Sequence, residues 1–251
     1  MTIFIGCAGW SVNNGTVGDF AGEGTHLERY ARRFNAVEIN SSFYRPHQSK
    51  TYLRWAASTP EDFRFAVKLP KSITHDAKLV DSEPLLNRFL NEVAGLAGKM
   101  GPLLMQLPPS LRFDKQIVDS FLRQLRGVFD STVVCEPRHR TWFTPAANAL
   151  LADYRIARVA ADPPVGVTGL EPGGWGGVQY FRLHGSPRMY YSSYAPDFLE
   201  RLAVRLCELQ RQSIEAWYIF DNTAAGAAIT NCLQLQKLTS AVSSGADLYM
   251  C

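Results

Sequence analysis

Short apolar runs alternate with longer amphipathic segments from one end of the chain to the other. Most of these runs are rich in β-branched or aromatic residues, which is typical of β-strands. Strands of this kind are buried on both faces when they lie in a parallel sheet. Eight such runs predict strands at residues 3–9, 36–40, 63–69, 102–107, 132–137, 156–162, 178–185 and 216–222.

The segments between these strands carry apolar residues at helical spacing. In residues 27–34 the apolar side chains recur at the i, i+3, i+4 and i+7 positions, which lie on one helix face. Ser82 and Asp114 precede two of the segments and are residue types that cap helix N-termini. The same pattern predicts further helices at residues 83–100, 114–125, 197–212 and 227–242.

Strand–helix alternation with short connections predicts a parallel sheet in an α/β fold. About eight such units in 251 residues predict a single (β/α)₈ TIM-like barrel, with residues 1–251 forming one domain. An open, doubly wound sheet is the alternative, but the glycine-rich nucleotide fingerprint that would favour it is missing. The glycine-rich tracts 13–24 and 169–177 are predicted to be loops.

Polar residues recur at one end of most of the predicted strands. Side chains alternate along a strand, so in residues 63–69 the outward positions of Phe65 and Val67 leave Lys68 facing inward. The same rule predicts that Asp162 faces inward with Ala160 and that Asn222 faces inward with Phe220. The inward set is Glu38, Asn40, Lys68, Gln106, Glu136, Asp162, Arg182, His184 and Asn222. Because buried charge is costly unless it is paired, this set favours a functional pocket over a structural plug of ion pairs.

Charge and cysteine content exclude several classes of protein. The net charge is +3 and the pI is about 8.6, which is far from the strongly basic character of a dedicated nucleic-acid binder. Five cysteines without a C-x-x-C motif predict reduced thiols in the cytosol. The chain begins without a basic signal-peptide region and contains no apolar run of 18 residues. We therefore expect a cytoplasmic protein that makes no membrane contact.

Candidate chemistry follows from the inward residues. Lys68, Arg138 and Arg182 are expected to hold a phosphate or carboxylate group, since arginine can do so bidentately. Glu38 and Glu136 are the candidate base and acid, and the width of a barrel also allows the paired carboxylates of a retaining glycosidase. The other residues predicted to line the substrate pocket are Trp10, Asn40, Tyr44, His75, Gln106, Trp142, Asp162 and Asn222.

Two of the candidate catalytic residues have alternative interpretations. His184 is either a proton shuttle or a partner that hydrogen bonds within the Arg182–Glu136 network. Lys68 is either a Schiff-base lysine or an ion-paired anchor, and the anchor is the favoured interpretation.

The chain resembles the YecE-like family, domain of unknown function 72, over nearly its whole length. The resemblance implies a (β/α)₈ barrel and no established activity. It departs from the family pattern at loop 13–24 and at Asp221–Asn222, where the family usually has paired asparagines. The matching stretches are "GCAGWS" (6–11), "LERYARRFNAVEINSSFYRP" (27–46), "WAASTPEDFRFAVKLPKSITH" (55–75), "GPLLMQLPPSLRFD" (101–114), "VVCEPRHRTWF" (133–143), "YFRLHG" (180–185) and "YIFDNTAAGAAITN" (218–231).

Four functional hypotheses fit the sequence. The first is an enzyme, a hydrolase or lyase, that uses acid–base or covalent chemistry on a small polar or anionic substrate, phosphorylated or sugar-like. The second is a nucleic-acid processing protein of the barrel-endonuclease type, in which Tyr44, Trp142, Tyr190 and Tyr191 stack on bases. The third is a metal site, and the fourth is a binding module without turnover. No cofactor is predicted, because Lys68 and Arg182 already balance the carboxylates. The candidate metal ligands are Glu38, Glu136, Asp162 and His184, with His75 and His139 nearby.

Overall fold

The computed structural model describes residues 3–12, 18, 20–167 and 169–246. Each of the eight predicted strands is present, and the run 156–162 is divided at Val159 into two short strands. The predicted loop 169–177 also contains a two-residue strand. In the described part of the chain the strands are β1 (Ile3–Cys7), β2 (Ala36–Ile39), β3 (Arg64–Lys68), β4 (Met100–Gln106), β5 (Val133–Glu136), β6 (Ile156–Arg158), β7 (Ala160–Asp162), β8 (Gly173–Gly174), β9 (Val178–Leu183) and β10 (Glu215–Phe220).

The predicted helices are present, although the one predicted at residues 83–100 ends as an α-helix at Val93 and is followed by a separate helical turn. Three additional α-helices lie at residues 41–44, 49–57 and 145–153. Of the helices that the structure describes, none is both long enough and apolar enough to cross a bilayer. The α-helices are α1 (His26–Ala31), α2 (Ser41–Tyr44), α3 (Ser49–Ala57), α4 (Glu83–Val93), α5 (Lys115–Val128), α6 (Pro145–Asp153), α7 (Pro196–Arg211) and α8 (Ala227–Ala246). Shorter helical turns lie at Ser72–Asp76, Ala94–Lys99 and Arg140–Trp142.

The two predicted helix caps have different outcomes. Asp114 accepts hydrogen bonds from the backbone N–H groups of Gln116 (2.9 Å) and Ile117 (3.2 Å), so the cap of α5 is confirmed. The predicted cap at Ser82 is wrong, because the Ser82 hydroxyl is buried and has no hydrogen-bond partner. Helix α4 instead has a proline, Pro84, in its first turn, where a missing backbone N–H costs nothing.

The strands pair in two sheets, in the orders β1-β10-β9-β7 and β2-β3-β4-β5-β6-β8. All pairs are parallel except β6 with β8, so the predicted parallel α/β class is confirmed. The sheets meet at two places. Ala8 forms a parallel bridge with Glu38, and β6 runs into β7 through Val159, whose N–H donates to the Cys135 carbonyl (2.8 Å).

Apolar side chains fill both faces of the strands. The larger cluster lies between the strands and the helices and includes Phe65, Val67, Phe181 and Leu183. A second cluster, which we call the inner apolar layer, takes the opposite face of the same strands. Its buried members are Phe4, Ala36, Ala66, Leu104, Val134, Ala157, Val159, Val178, Tyr180, Trp217 and Ile219.

Two sequence predictions fall partly outside the described residues. Residues 13–17 and 19 of loop 13–24 are not among them, and neither is Cys251. The cysteines within the described ranges are all buried free thiols, namely Cys7, Cys135, Cys207 and Cys232.

Candidate functional site

Polar side chains lie directly beyond the inner apolar layer, at the carboxyl ends of the strands. Because side chains alternate along a strand, Glu38 follows Ala36 on the same face, and Lys68 follows Ala66. The same two-residue step leads to five more residues on β4, β5, β9 and β10 or directly after them. We call this set the polar layer: Glu38, Lys68, Gln106, Glu136, Arg182, His184 and Asp221.

Arg182 lies at the centre of the polar layer with 1% of its side chain exposed. Its Nη2 contacts Glu38 Oε1 (2.8 Å) and Asp221 Oδ2 (2.9 Å), and its Nη1 donates to Glu136 Oε2 (3.2 Å). Burial opposes a charged guanidinium, but the three carboxylates raise the pKa of Arg182 well above its ordinary value. One cation therefore joins three strands through three buried ion pairs.

Glu38 is fully engaged by its neighbours. Arg182 Nε lies 3.2 Å and 3.0 Å from the two carboxylate oxygens, and the Tyr180 hydroxyl donates to Oε2 (2.9 Å). Burial and the nearby Glu38 charge raise the pKa of Tyr180, which keeps that hydroxyl protonated and able to donate. This geometry suits a fixed anchor for Arg182 better than the predicted general base.

His184 lies between two carboxylates. Its Nε2 is 2.8 Å from Glu136 Oε1 and its Nδ1 is 3.0 Å from Asp221 Oδ2. Ionised carboxylates only accept hydrogen bonds, so both ring nitrogens must carry a proton and the ring is an imidazolium. Burial is the largest single effect and opposes this charge, but the charge of Glu136 and the hydrogen bonds to Asp221 and Glu136 together outweigh burial, so the pKa of His184 is raised. His184 Nε2 also lies 3.4 Å from Arg182 Nη1. Both of these nitrogens are donors, and they are close because both donate to Glu136.

Glu136 is the most heavily engaged acceptor in the layer. In addition to Arg182 and His184, it accepts from Gln106 Nε2 (3.1 Å) and Arg138 Nη1 (3.3 Å). Burial would raise the pKa of this carboxyl, but the charges of His184, Arg182 and Arg138 override burial and hold the pKa well below its usual range. An ionised Glu136 has no proton to donate, so the resting site does not fit the predicted role of general acid.

Lys68 differs from every other charged member of the layer. Among the described residues, no carboxylate oxygen lies within the 4.0 Å ion-pair distance of its Nζ, and Nζ makes no hydrogen bond. The ammonium instead lies 4.0 Å from the centre of the Phe43 ring. Burial, and secondly the charge of Arg182, lower the pKa of Lys68 to about 8. The interpretation of Lys68 as an ion-paired anchor is therefore wrong.

Phe43 packs on Lys68, Tyr190 packs on His184, and His75 lies beside Phe43. The His75 ring packs against Phe43 with 4.9 Å between ring centres, and its Nδ1 lies 2.9 Å from the Thr74 hydroxyl. Burial and the charge of Lys68 lower the pKa of His75, so this imidazole is neutral at pH 7. The Tyr190 ring packs edge-on against His184, at 5.5 Å, with its backbone in the left-handed region (φ 67°). A tyrosine seldom adopts that conformation, which indicates that the 185–194 segment is tightly constrained.

Other predicted pocket residues lie elsewhere. Trp142 is fully buried in the outer core, and its indole donates to the Leu111 carbonyl (2.9 Å), so its assignment as a pocket wall is wrong. Trp10 packs edge-on against Trp55 of α3, at 5.0 Å. Tyr44 is exposed at the end of α2.

The inward orientations predicted for Asp162 and Asn222 are also wrong. Ala160 and Phe220 belong to the outer cluster, so the residues two positions later share that outer face. Asp162 accepts a hydrogen bond from the Tyr194 hydroxyl (2.8 Å). Asn222 is buried and donates to the Ser192 carbonyl (2.9 Å). Val159 and Ile219 of the inner apolar layer define the true inward phase on these two strands.

Correcting that phase brings Asp221 into the site, a residue that the sequence analysis did not select. Burial would raise the pKa of Asp221, but Arg182 and His184 lower it, and this carboxylate contacts both of them. The available signal is the alternation of Trp217, Ile219 and Asp221, which is obscured because every residue from Ala216 to Phe220 is apolar or aromatic. Asn40 follows Glu38 by two residues, and its Oδ1 is buried without a hydrogen-bond partner.

The candidate metal ligands are not gathered around one point. Asp162 is on the outer face with Tyr194, and the oxygens of Glu38 and Glu136 are directed at Arg182. Within the described residues, no group of three His, Cys, Asp or Glu side chains is arranged to hold a metal ion.

The fold and the polar layer define a parallel α/β protein with a buried cluster of charge at the carboxyl ends of its strands. The family model described as "Protein of unknown function DUF72" matches residues 4–247, and the chain belongs to this family. The predicted resemblance is thus confirmed.

Relatives and solved structures agree with this assignment. The UPF0759 protein YecE of Escherichia coli K12 is 38% identical over 120 residues, a match that covers 47% of this chain and only 43% of YecE. The UPF0759 protein YunF of Bacillus subtilis is 24% identical over 97% of this chain and 96% of its own length. Crystal structures of DUF72 family proteins from Enterococcus faecalis (TM-score 0.81, 21% identity, 95% and 96% of the two chains) and Thermotoga maritima (TM-score 0.78, 24% identity, 96% and 100%) share the fold.

Proposed function

We propose that this chain is an enzyme that binds a small anionic substrate at the carboxyl ends of its strands, where Lys68 takes part in acid–base or covalent chemistry. The observation that carries the proposal is that Lys68 is buried without an ion-pair partner among the described residues. Burying an unpaired ammonium lowers stability. A ligand that supplies the missing negative charge would compensate for that cost.

The charges of the site support an anionic ligand. Four cations, Lys68, Arg138, Arg182 and the His184 imidazolium, face three carboxylates, Glu38, Glu136 and Asp221. The difference of 4 − 3 leaves one positive charge without a counterpart. Arg138 uses only Nη1 in a hydrogen bond within the described chain, and 13% of its side chain is exposed, so its other donors remain available to a ligand.

The state of Lys68 favours an enzyme over a binding module. A lysine with a pKa of about 8 has a sizeable neutral fraction near pH 7, and a neutral amine can accept a proton or act as a nucleophile. A module that only binds an anion would gain from a permanently charged group. The lowered pKa weakens the charge and makes the amine reactive, which is the combination that catalysis requires.

The strand arrangement supports a closed (β/α)₈ barrel formed as one domain. The Ala8–Glu38 bridge joins the first sheet to the second at one side, and the chain itself joins them at Val159. With β6 and β7 counted as one interrupted strand, a continuous path around the barrel runs through β1, β2, β3, β4, β5, β6–β7, β9 and β10. In such barrels the active site lies at the carboxyl ends of the strands, where the polar layer lies here.

Two other hypotheses receive less support from the geometry. A glycosidase needs one carboxyl that gives up a proton and one that is free to attack, but Arg182 engages both Glu38 and Glu136. For nucleic-acid processing, Tyr44 and Tyr191 are exposed, while Trp142 is buried and cannot stack on a base.

The proposal is tested by titrating the protein with inorganic phosphate and with acetate, and measuring the heat of binding. We expect saturable binding of at least one of these anions, strong weakening in Lys68→Met and Arg138→Gln, and no change in Lys115→Met. Lys115 is an exposed lysine at the start of α5 and serves as the matched control. Equal affinity in wild type and Lys68→Met, or binding of neither anion, would overturn the proposal.

A further inference from the structure

The lack of a partner for Lys68 within the described part of the chain has a structural cause. Arg182 and His184 engage the nearby carboxylates, Glu136 and Asp221, with contacts of 2.8–3.2 Å. Among the described residues none accepts a hydrogen bond from Nζ, and the Phe43 ring covers it on one side. The amine is held at the carboxyl end of β3 with its donors and its nitrogen lone pair free for a ligand.

The surroundings tolerate positive charge at this position in more than one chemical form. Glu38, Glu136 and Asp221 are near enough to Lys68 to favour a cation at Nζ, although burial and Arg182 oppose it. A protonated imine carries the same single charge on the same nitrogen as an ammonium, and it is bulkier and less hydrated. An environment that is apolar on the Phe43 side and has these carboxylates near Nζ therefore suits the less hydrated iminium at least as well as the ammonium.

We infer that Lys68 forms a Schiff base with an aldehyde or ketone that bears an anionic group, an inference that rests on the proposed function. The neutral amine attacks the carbonyl carbon, and the C–N bond forms as the oxygen takes up a proton to give a carbinolamine. Loss of that oxygen as water then forms the C=N bond. Overall, the ammonium and the carbonyl compound yield a protonated imine and one molecule of water, so that atoms and charge balance without an oxidant or reductant.

The anionic group of the substrate follows from the charge of the site. Forming the iminium leaves the positive charge on Lys68 in place, so the one excess cation persists through the reaction. A carboxylate or phosphate elsewhere on the substrate would balance it by binding the free donors of Arg138, which also hydrogen bonds to Glu136. The substrate class is therefore an oxo acid or a phosphorylated aldehyde or ketone.

The state of the amine sets the expected selectivity. With a pKa of about 8, Lys68 has on the order of a hundredfold more neutral amine at pH 7 than a lysine with an ordinary pKa. Reagents that trap imines should therefore find Lys68 before the exposed lysines, provided that the carbonyl compound reaches the site.

The test is reductive trapping of the full chain with borohydride in the presence of pyruvate or of glyceraldehyde 3-phosphate, followed by peptide mapping by mass spectrometry. Hydride reduces the imine to a stable secondary amine, whose mass locates the modified lysine. Acetaldehyde, which has a carbonyl but no anionic group, is the matched reagent. Lys115 is the reference lysine, and Lys68→Arg is the variant that retains a cation without an amine nucleophile.

We expect an adduct at Lys68 with at least one anionic carbonyl compound, in a yield at least tenfold above that at Lys115. The yield at Lys68 should be lower when acetaldehyde replaces the anionic compound, and lower in Arg138→Gln. Adducts confined to exposed lysines while wild type still binds phosphate or acetate would overturn the Schiff base and leave the proposed function standing. If wild type neither forms the adduct nor binds these anions, both proposals fail. Lys68→Arg must lose the adduct, and persistence of the same adduct elsewhere in that variant would also contradict the assignment.

Discussion

The inner apolar layer and the polar layer lie on the same face of the same strands, two residues apart, yet one buries apolar side chains and the other buries charged and polar ones. Leu104 and Val134 in the first are replaced by Gln106 and Glu136 in the second. Burying the apolar side chains stabilises the fold by about 25 cal/mol per Å² removed from water. Buried ion pairs bring a desolvation cost that their mutual attraction often only offsets. Stability alone therefore explains the first layer and does not explain the second.

The contrast also separates two kinds of residue within the polar layer. Arg182, His184 and the three carboxylates satisfy one another, and this closed network positions charge without leaving a group free to react. Lys68 is buried to a similar degree but stands outside the network. The network can thus be regarded as the support that fixes the electrostatic environment of one reactive amine.

The largest expected effect comes from removing the centre of the network. Arg182→Met leaves three buried carboxylates without their shared cation, and we expect a loss of about 3–5 kcal/mol in the free energy of unfolding. Leu104→Ala in the inner apolar layer should cost about 2–5 kcal/mol through a cavity. Urea denaturation at pH 7 measures both.

The matched control for that comparison is Arg201→Met, which breaks the exposed pair between Arg201 and Asp197 on α7. Exposed pairs contribute about 0–1 kcal/mol. If Arg182→Met were as mild as Arg201→Met, the network would not be a support, and the distinction between the two layers would lose its basis. Anion binding provides a second readout, since Leu104→Ala should retain it.

Much of this comparison could be predicted from the sequence. The strand alternation in "FRFAVKL" and "VQYFRLHG" places Lys68, Arg182 and His184 on the inward face, because these charged residues alternate with the apolar Val67, Phe181 and Leu183, which pack outward. The class of fold followed from the order of strands and helices. Helices α2, α3 and α6 are not predicted, since helices of four to nine residues offer at most two or three turns of periodic pattern and depend on tertiary contacts.

The rest depended on contacts that a pattern does not contain. On β10 every residue from Ala216 to Phe220 is buried, so alternation gave no phase and Asn222 was selected in place of Asp221. From Ala157 through Val159 to Ala161 the inward residues alternate without a break, but Ala160 and Ala161 are identical in the sequence and do not mark which of them faces inward, so the pattern assigns Asp162 to the wrong face. That Lys68 forms no ion pair among the described residues could not be predicted either. It depends on which cation contacts the carboxylates in the folded protein, and that cation is Arg182.

The second expected effect concerns Lys68 and pH. Its folded-state pKa of about 8 lies below the value of 10.5 for an unperturbed lysine, so the folded protein binds fewer protons than the unfolded chain between these values. The burial of Lys68 therefore lowers the free energy of unfolding by its full amount below pH 8, and this loss diminishes as the pH rises toward 10.5. Lys68→Met should therefore be more stable than wild type at pH 7, by up to about 3 kcal/mol.

Unfolding free energies of wild type and Lys68→Met, measured in parallel from pH 7 to pH 10, test this effect. Tyrosines and cysteines that titrate in the same range are common to both proteins and cancel in the difference. The difference should shrink as pH rises. A constant difference, or a variant that is less stable at pH 7, would mean that Lys68 has a partner in solution.

A smaller effect is expected from Asp221→Asn, which places here the residue type that the family resemblance predicts. The amide keeps the size of the side chain but removes one negative charge from Arg182 and His184, so we expect a loss of about 1–3 kcal/mol in stability. The same change raises the excess positive charge of the site from one to two. Phosphate should therefore bind more tightly to the less stable variant, as measured by calorimetry, and weaker binding would contradict the charge count.

The smallest expected effect comes from replacing the polar residue of β4 with an apolar one, and it is compared with the opposite replacement on the same strand. Gln106→Leu removes a neutral donor from Glu136, which still has Arg182, Arg138 and His184, so we expect a loss of only about 0.5–1.5 kcal/mol. Leu104→Gln, two residues earlier, is the matched exchange. It buries an amide among apolar side chains without a hydrogen-bond partner, and it should cost more by at least about 1–3 kcal/mol.

The comparison of these two variants by urea denaturation shows whether the loss of stability depends on the layer in which the substitution is made or only on the type of residue introduced. The polar layer tolerates the apolar side chain because its charges satisfy one another without Gln106, whereas the inner apolar layer contains no group that could satisfy an amide. Similar losses for both exchanges would show that the layers differ only in the residues they happen to contain. A larger loss for Gln106→Leu would instead show that this amide is needed to hold Glu136 in place, and that the network is not self-sufficient.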